Sequence, residues 1–140
     1  MRLEYSNALL IDAKNHVLIL RRSGAHPTHA FEADLPGGLL DKGETHEQAI
    51  VREIREETGL IVEPTDLTEA YRGKGAWGWW QQTVFIVRLK TIQPEVTISW
   101  EHDQFEWIPT TGLADLKGSI RDKIDKAIPG GDFEKLSLAS

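Results

Sequence analysis

Apolar residues along the chain fall into short runs that are typical of β-strands. The strand-like runs are residues 7–12, 16–20, 67–71, 83–89 and 105–108. Ala13-Lys14-Asn15 separates the first two runs and predicts a hairpin turn. Because the apolar residues in these runs are continuous, they do not alternate with polar residues as they would in a half-buried strand. The pattern therefore predicts several strands without giving their order.

Two other stretches have features that predict helices. Thr45-His46-Glu47-Gln48 has the spacing of a capping box, so a helix is expected from about His46 to Gly59. Ile120, Ile124 and Ile128 recur at helical spacing and predict a second helix, which ends at Pro129-Gly130-Gly131. Two helices and several strands predict an α/β or α+β fold over residues 1–140, with helices covering a mixed sheet in one domain.

The segment between the second strand and the first helix is predicted to be irregular. Residues 21–34 are mostly polar and contain Gly24 and Pro27, so they predict a long loop. The following Leu-Pro-Gly-Gly sequence, residues 35–38, predicts a further break. Loops of this length are frequently functional.

Composition narrows the classes of function. The 140 residues include 16 Lys and Arg against 22 Asp and Glu, and the net charge of −6 argues against a nucleic-acid polymer as partner. The absence of cysteine leaves Glu, Asp and His as metal ligands. The apolar run near the N-terminus is too short for a signal peptide or a membrane span, so we expect a cytoplasmic protein with no membrane partner. Five Trp residues are compatible with a homodimer.

Carboxylates gather on one face of the first predicted helix. Glu53, Glu56 and Glu57 fall in one arc of about 100° on a helical wheel, beside an apolar arc that contains Ile50 and Ile54. An all-oxygen set of ligands suits Mg²⁺, which commonly bridges carboxylates and phosphates. The alternative is a solvated helix face with salt bridges, as most charge runs are.

The surrounding residues favour the metal site. Gly38, five further residues, Glu44, seven further residues and then Arg-Glu-Ile-Arg-Glu-Glu-Thr-Gly-Leu at residues 52–60 make a complete 23-residue pattern. This pattern resembles the Nudix box, and the chain resembles the MutT-like proteins of the Nudix hydrolase superfamily. The resemblance implies a mixed β-sheet sandwiched between α-helices, a Mg²⁺ or Mn²⁺ cofactor, and hydrolysis of a pyrophosphate bond in a nucleoside diphosphate linked to another group.

The resemblance also implies roles for the residues of the pattern. Glu53, Glu56 and Glu57 would bind the metal directly or through water, together with a carbonyl oxygen of Gly37 or Gly38. Glu53 is in addition the candidate general base. Arg52 would orient a carboxylate by a forked contact, with Glu44 or with Glu53, because guanidinium geometry suits paired hydrogen bonds.

A further metal ligand is expected outside the Nudix box. The sequence from Ser99 to Ile108 resembles the family's downstream Glu-His segment, which is followed by an aromatic residue and Trp-Ile. Glu101 is the first candidate. His102 and Asp103 are alternatives, because loop segments often carry such residues without a metal.

Substrate contacts are harder to predict. Trp77, Trp79 and Trp80 are candidates for stacking on a base, although indoles near a strand often pack in a core or an interface. Arg21 and Arg22 are candidates for binding phosphate, or they mark the solvent boundary.

The small size of the chain favours a nucleoside triphosphate, cleaved to the monophosphate and pyrophosphate, or a nucleotide-sugar-like substrate. The residues at 75–78, Gly-Ala-Trp-Gly, lack the Pro or Tyr of ADP-ribose or dinucleoside-polyphosphate hydrolases. A nucleotide-binding sensor without catalysis and an acidic interaction protein are the alternatives from other classes.

Overall fold

A computed structural model describes residues 3–75, 78–133 and 136. It contains seven strands and two α-helices. The strands are β1 (Glu4–Ile11), β2 (His16–Arg22), β3 (Ala33–Asp34), β4 (Gly37–Leu39), β5 (Leu67–Lys74), β6 (Gln81–Arg88) and β7 (His102–Pro109). The helices are α1 (His46–Thr58) and α2 (Ile120–Ala127), and short 3-10 turns occur at Pro64–Asp66, Thr110–Asp115 and Pro129–Gly131.

All seven strands belong to one mixed sheet that is built around β1. Strand β1 runs parallel to β6 from Glu4–Gln81 to Ile11–Arg88, and it is antiparallel to β2 and β4. The main path has the order β3-β2-β1-β6-β5, while β7 pairs with β2 and β4 pairs with β1. The mixed sheet predicted from the sequence is therefore confirmed.

The two helices cover opposite faces of the sheet. Ile50 and Ile54 of α1 pack in one apolar cluster with Ala8 and Leu10 of β1. Ile120 and Ile124 of α2 pack in a second cluster with other residues of the same strand, Leu9 and Ile11. Successive strand residues point to opposite faces, so the second half of β1, Ala8 to Ile11, is apolar at every position because both of its faces are covered.

The segment predicted as a long loop contains more regular structure than expected. Arg21 and Arg22 belong to β2, and Ala33–Asp34 form β3 against the same strand. The predicted break at residues 35–38 is also partly wrong, since Gly37–Leu39 form β4 beside β1. Strands of two and three residues are too short to show a hydrophobic period, so the sequence pattern does not reveal them.

The remaining boundaries are close to those predicted. Helix α1 begins and ends as expected, whereas β7 starts at His102, three residues before the predicted strand. Within the described ranges, no helix is long and apolar enough to cross a membrane.

Candidate active site

Capping residues at both ends fix where α1 begins and ends. The Thr45 hydroxyl accepts a hydrogen bond from the Gln48 amide at 3.1 Å, and the Gln48 side chain accepts one from the Thr45 amide at 3.0 Å. Gly59 ends the helix with φ +76°, and its N–H donates to the Arg55 carbonyl. A left-handed residue at this position strongly favours glycine. The rotation of α1 relative to the sheet is set by its apolar face.

The three predicted metal ligands on α1 lie at different depths. The side chains of Glu57, Glu53 and Glu56 are 2%, 12% and 51% exposed. Strand β4 covers the deeper two: the Gly37 N–H donates to Glu57 at 3.3 Å. A Cβ atom added to Gly38 would lie 2.8 Å from a Glu53 carboxylate oxygen. The glycines of β4 therefore let the backbone lie directly against the two carboxylates.

Burial and neighbouring charge perturb Glu57 strongly. Removal from water raises the pKa of Glu57, and Glu53 raises it further through a shared hydrogen bond and like charge. The charge of Glu101 adds to this upward shift of the Glu57 pKa, while the Gly37 N–H opposes it. Closely spaced carboxylates that resist ionisation together are favourable donors for a hard divalent cation, which would balance their charge.

Arg52 spreads its guanidinium group over the acidic side chains of this face. Its Nε and Nη2 donate to the two carboxylate oxygens of Glu44 at 2.8 and 2.9 Å. Its Nη1 donates to Glu53 at 2.9 Å and to Glu56 at 3.2 Å. The hydrogen bonds from Arg52 lower the pKa of Glu44 to about 2, and the same contact raises the pKa of Arg52. The forked contact thus lies on Glu44, and Glu53 receives a single bond.

Arg52 binds one carboxylate oxygen on each of two predicted metal ligands. Among the residues that the structure describes, no group of three His, Asp or Glu side chains is arranged to hold a metal ion as it stands. The Arg52 Nη1 atom takes one oxygen of Glu53 and one of Glu56, although the second oxygen of each has no bond from Arg52. The chemistry of the donors fits Mg²⁺ or Mn²⁺, both of which prefer carboxylate and carbonyl oxygen.

The three candidates for a further ligand differ in their surroundings. The Glu101 carbonyl accepts hydrogen bonds from the Ser23 N–H at 2.9 Å and from His26 Nε2 at 2.8 Å, which holds this segment in place. Asp103 is engaged by a forked contact with Arg21 at 2.7 and 2.8 Å. His102 is buried, with Nδ1 3.8 Å from a Glu57 oxygen. Burial lowers the pKa of His102 to about 4, so the ring is neutral at pH 7.

The predicted substrate contacts are not brought together as one group. Arg22, the last residue of β2, donates to Asp34 at 3.2 Å. The Trp80 ring packs edge-on against Tyr5, with centroids 5.5 Å apart, and against Trp79 at 5.4 Å. Trp77 lies outside the described residues. The roles predicted for Arg21, Arg22, Trp77 and Trp80 remain predictions.

Buried polar side chains between α2 and the sheet were missed by the sequence analysis. The Lys123 ammonium group and Arg22 both contact the buried Asp34 carboxylate. Lys126 donates to Gln82 at 2.7 Å. The charges of Asp34, Arg22 and Lys123 all influence the pKa of His102. In the sequence, Lys123 and Lys126 stand beside the apolar face of α2. Charged residues in such positions usually lie on a solvated helix face, so they do not indicate contacts with the sheet.

The family of the chain follows from comparison with known proteins. A family model described as NUDIX domain matches residues 1–129. An ADP-ribose pyrophosphatase of Methanocaldococcus jannaschii is 42% identical over 44% of this chain and 36% of its own length. The 8-oxo-dGTP diphosphatase of Escherichia coli is 36% identical over 49% of this chain and 52% of its own length. These matches thus cover between about a third and a half of the relatives.

Solved structures support the same fold. The crystal structure of a MutT protein from Methanosarcina mazei Go1 superposes with a TM-score of 0.73 and 23% identity, over 97% of this chain and 93% of that protein. The match of the NUDIX domain model over most of the chain, together with the carboxylate face of α1 beside β4, shows that the chain belongs to the NUDIX domain family.

Proposed function

We propose that this protein hydrolyses a pyrophosphate bond in a nucleoside diphosphate linked to another group and requires Mg²⁺, for which Mn²⁺ can substitute. The observation that carries the proposal is the different burial of three carboxylates on one helix face. The side chain of Glu57 is buried, that of Glu53 is mostly buried and that of Glu56 is half exposed. The backbone of Gly37 and Gly38 lies against the two deeper carboxylates. A solvated, salt-bridged helix face would leave all three carboxylates in water. Here one of them is buried among acidic neighbours, which is unfavourable unless a cation joins them.

The metal would be held by these three carboxylates, the Gly38 carbonyl oxygen and Glu101. When bound, it would neutralise pyrophosphate oxygens and lower the pKa of a bound water molecule. Arg52 keeps Glu53 in position through the 2.9 Å hydrogen bond and is itself held by the fork on Glu44. Removal of the metal would leave Arg52 as the nearest counter-charge to Glu53 and Glu56.

The reaction is a transfer of a phosphoryl group to water. Glu53 accepts a proton from the attacking water, a bond forms between the water oxygen and phosphorus, and the bridging P–O bond breaks. The leaving phosphate group departs with the bonding electron pair. Glu53 is suited to this role because its carboxylate is largely shielded from solvent and oriented by a fixed guanidinium group.

The preferred substrates are nucleoside triphosphates and nucleotide-sugar-like compounds, with ADP-ribose and dinucleoside polyphosphates as the alternative. One curated relative is named for ADP-ribose and the other for 8-oxo-dGTP. Both names support cleavage of a pyrophosphate bond, but they do not agree on the substrate. A substrate panel is therefore needed to choose among these compounds.

The test is release of phosphate and pyrophosphate across nucleoside triphosphates, oxidised nucleotides, nucleotide sugars, ADP-ribose and dinucleoside polyphosphates, with Mg²⁺ and with EDTA. Sugar phosphates are detected after phosphatase treatment. Turnover that requires Mg²⁺ and is lost in Glu56→Gln and Glu57→Gln supports the proposal, with Glu95→Gln as the exposed control. Silence across the panel, with nucleotide still raising the melting temperature, would favour the non-catalytic sensor instead.

A further inference from the structure

The apolar core between α1 and the sheet ends in polar side chains. Ala8 of β1 and Phe85 of β6 belong to the apolar cluster that packs against α1. Two residues earlier on each strand, Ser6 and Thr83 point to the same face of the sheet, because side chains alternate along a strand. Ser6 and Thr83 are direct partners in the parallel β1–β6 pairing, and both are fully buried. Two hydroxyl groups therefore lie side by side at the end of this core.

His46 extends the apolar ridge of α1 toward these hydroxyl groups. It precedes Ile50 by four residues, so the two side chains lie one turn apart on the same face of the helix. The His46 side chain is buried, and its Nε2 atom is 3.5 Å from a carboxylate oxygen of Glu4. Glu4 precedes Ser6 by two residues and points to the same face of β1. This contact places the imidazole ring over the polar end of the strand.

The buried polar atoms of this group share the lack of a hydrogen-bond partner. Among the described residues, seven buried side-chain nitrogen and oxygen atoms make no hydrogen bond. Four of the seven are Ser6 Oγ, Thr83 Oγ1 and the two ring nitrogens of His46. Native proteins satisfy nearly all such atoms, either with protein groups or with ordered water. Four unpartnered atoms in one place therefore indicate a common partner.

The chemistry of the three side chains selects that partner. A hydroxyl group both donates and accepts hydrogen bonds, and a neutral imidazole has one donor and one acceptor nitrogen. A metal cation would need acceptors alone, and an anion would need donors alone. Water matches the mixed set, because it donates two hydrogen bonds and accepts two. Water also commonly bridges polar groups that lie too far apart for a direct bond.

We propose that a water molecule is bound between the first turn of α1 and strands β1 and β6, where it hydrogen-bonds to Ser6 Oγ, Thr83 Oγ1 and the ring of His46. The water joins the helix to both strands. Ser6 is also the partner of Gly38 in the β1–β4 pairing, so the water helps to hold together the elements that carry the predicted metal ligands. The inference does not depend on the proposed function, because none of the three side chains is a predicted ligand or base.

Relaxation dispersion of water oxygen-17 tests the site directly, because it counts the water molecules that remain in a protein longer than its tumbling time. The count for the wild type should fall by one in the double variant Ser6→Ala/Thr83→Val, which removes two of the three partners. Thr68→Val, at an exposed strand position, is the matched control and should leave the count unchanged. An equal count in the wild type and the double variant would overturn the proposal.

The stability of Thr83→Val gives a second test with a definite sign. Valine keeps the shape of the side chain and removes the hydroxyl group. If the hydroxyl group binds water, the unfolding equilibrium constant in urea should rise about fivefold, which is the effect of one lost hydrogen bond. If the hydroxyl group has no partner, its replacement by a methyl group should lower that constant. The second outcome would contradict the proposal.

Two further measurements separate a shared water from a direct bond between the hydroxyl groups. A direct bond between Ser6 and Thr83 would also make Thr83→Val destabilising, but the oxygen-17 count would then stay the same in the double variant. His46→Phe keeps a buried ring and removes both nitrogens, so it should raise the unfolding equilibrium constant and lower the oxygen-17 count by one. An unchanged count in His46→Phe would remove the imidazole from the site and the proposal would fail.

Discussion

The Arg52 guanidinium group and the Glu44 carboxylate form a forked pair, with both oxygens of Glu44 engaged at 2.8 and 2.9 Å. Glu44 also accepts the Asp41 N–H at 2.7 Å, so it is fixed to the backbone of the segment before α1. The pair therefore ties the helix to that segment while Arg52 reaches Glu53. We infer from this arrangement that Glu44 positions Glu53, the predicted base.

Glu44→Gln should lower kcat with little loss of stability. The neutral amide accepts a hydrogen bond but lacks the charge and the symmetric fork, so Arg52 is held less firmly. We expect kcat to fall about tenfold, which corresponds to about 1.4 kcal/mol in the barrier. The free energy of unfolding should fall by only about 1 kcal/mol, because the amide of the variant still accepts a hydrogen bond in this largely shielded pair. Equal kcat in Glu44→Gln and the exposed control Glu63→Gln would contradict the positioning role.

Glu57→Gln should change the pH dependence of stability in EDTA. The folded protein holds the pKa of Glu57 above its ordinary value of 4.5. Above that pH the folded state binds more protons than the unfolded state, so the wild type should lose stability as pH rises. One proton contributes at most about 1.4 kcal/mol per pH unit. Glu57→Gln cannot ionise and keeps an acceptor for the Gly37 N–H, so its profile should be flatter.

Urea unfolding of the metal-free protein between pH 5 and pH 8 measures this difference. Glu56→Gln is the matched control, because its carboxylate is half exposed and lies on the same helix. Parallel profiles for wild type and Glu57→Gln would show that burial of this carboxylate does not perturb its ionisation.

The helix that carries the site could be predicted from local sequence, whereas the depth of its carboxylates could not. Thr45 and Gly59 bound α1 in the structure as expected from their capping chemistry. Glu53, Glu56 and Glu57 share one face by helical geometry, but β4 decides which of them is buried. That strand has three residues and depends on glycine, so it leaves no periodic signal. Pairs such as Asp34 and Lys123, 89 residues apart in sequence, depend on the tertiary fold.

Asp34→Asn should destabilise the protein. Burial alone would raise the pKa of Asp34, but the charge of Lys123 and further contacts lower it below the ordinary value of 3.8. Asp34 therefore contributes stability above pH 3.8 that is lost as pH falls through its lower folded pKa. Removing one partner of a buried ion pair costs about 3 kcal/mol or more.

Chemical unfolding at pH 7 and pH 3 checks this contribution. The gap between wild type and Asp34→Asn should be largest at pH 7 and should narrow in acid. Asp115→Asn, at an exposed position, should change stability by less than about 0.5 kcal/mol. A gap that stays constant with pH would show that the charge of Asp34 is not what stabilises the fold.

Gly37→Ala should damage both the fold and the site, and Gly43→Ala is its matched control. An added Cβ atom on Gly37 would collide with the Ser6 carbonyl oxygen and lie 2.8 Å from the Asn7 Cα atom. The β1–β4 pairing would have to open, which would move the Gly37 N–H away from Glu57. We expect a loss of about 3 kcal/mol from overpacking and backbone strain, together with loss of hydrolysis.

Gly43 separates backbone strain from this collision. It has φ +84°, also in the left-handed region, but an added Cβ atom would meet nothing within 4 Å. Gly43→Ala should therefore lower the free energy of unfolding by only about 1 kcal/mol, which is the penalty of the left-handed conformation alone. Its kcat should stay unchanged. Urea unfolding and hydrolysis assays on both variants measure the difference. Equal losses would mean that backbone conformation, rather than the close approach of β4 to β1, is what requires glycine at position 37.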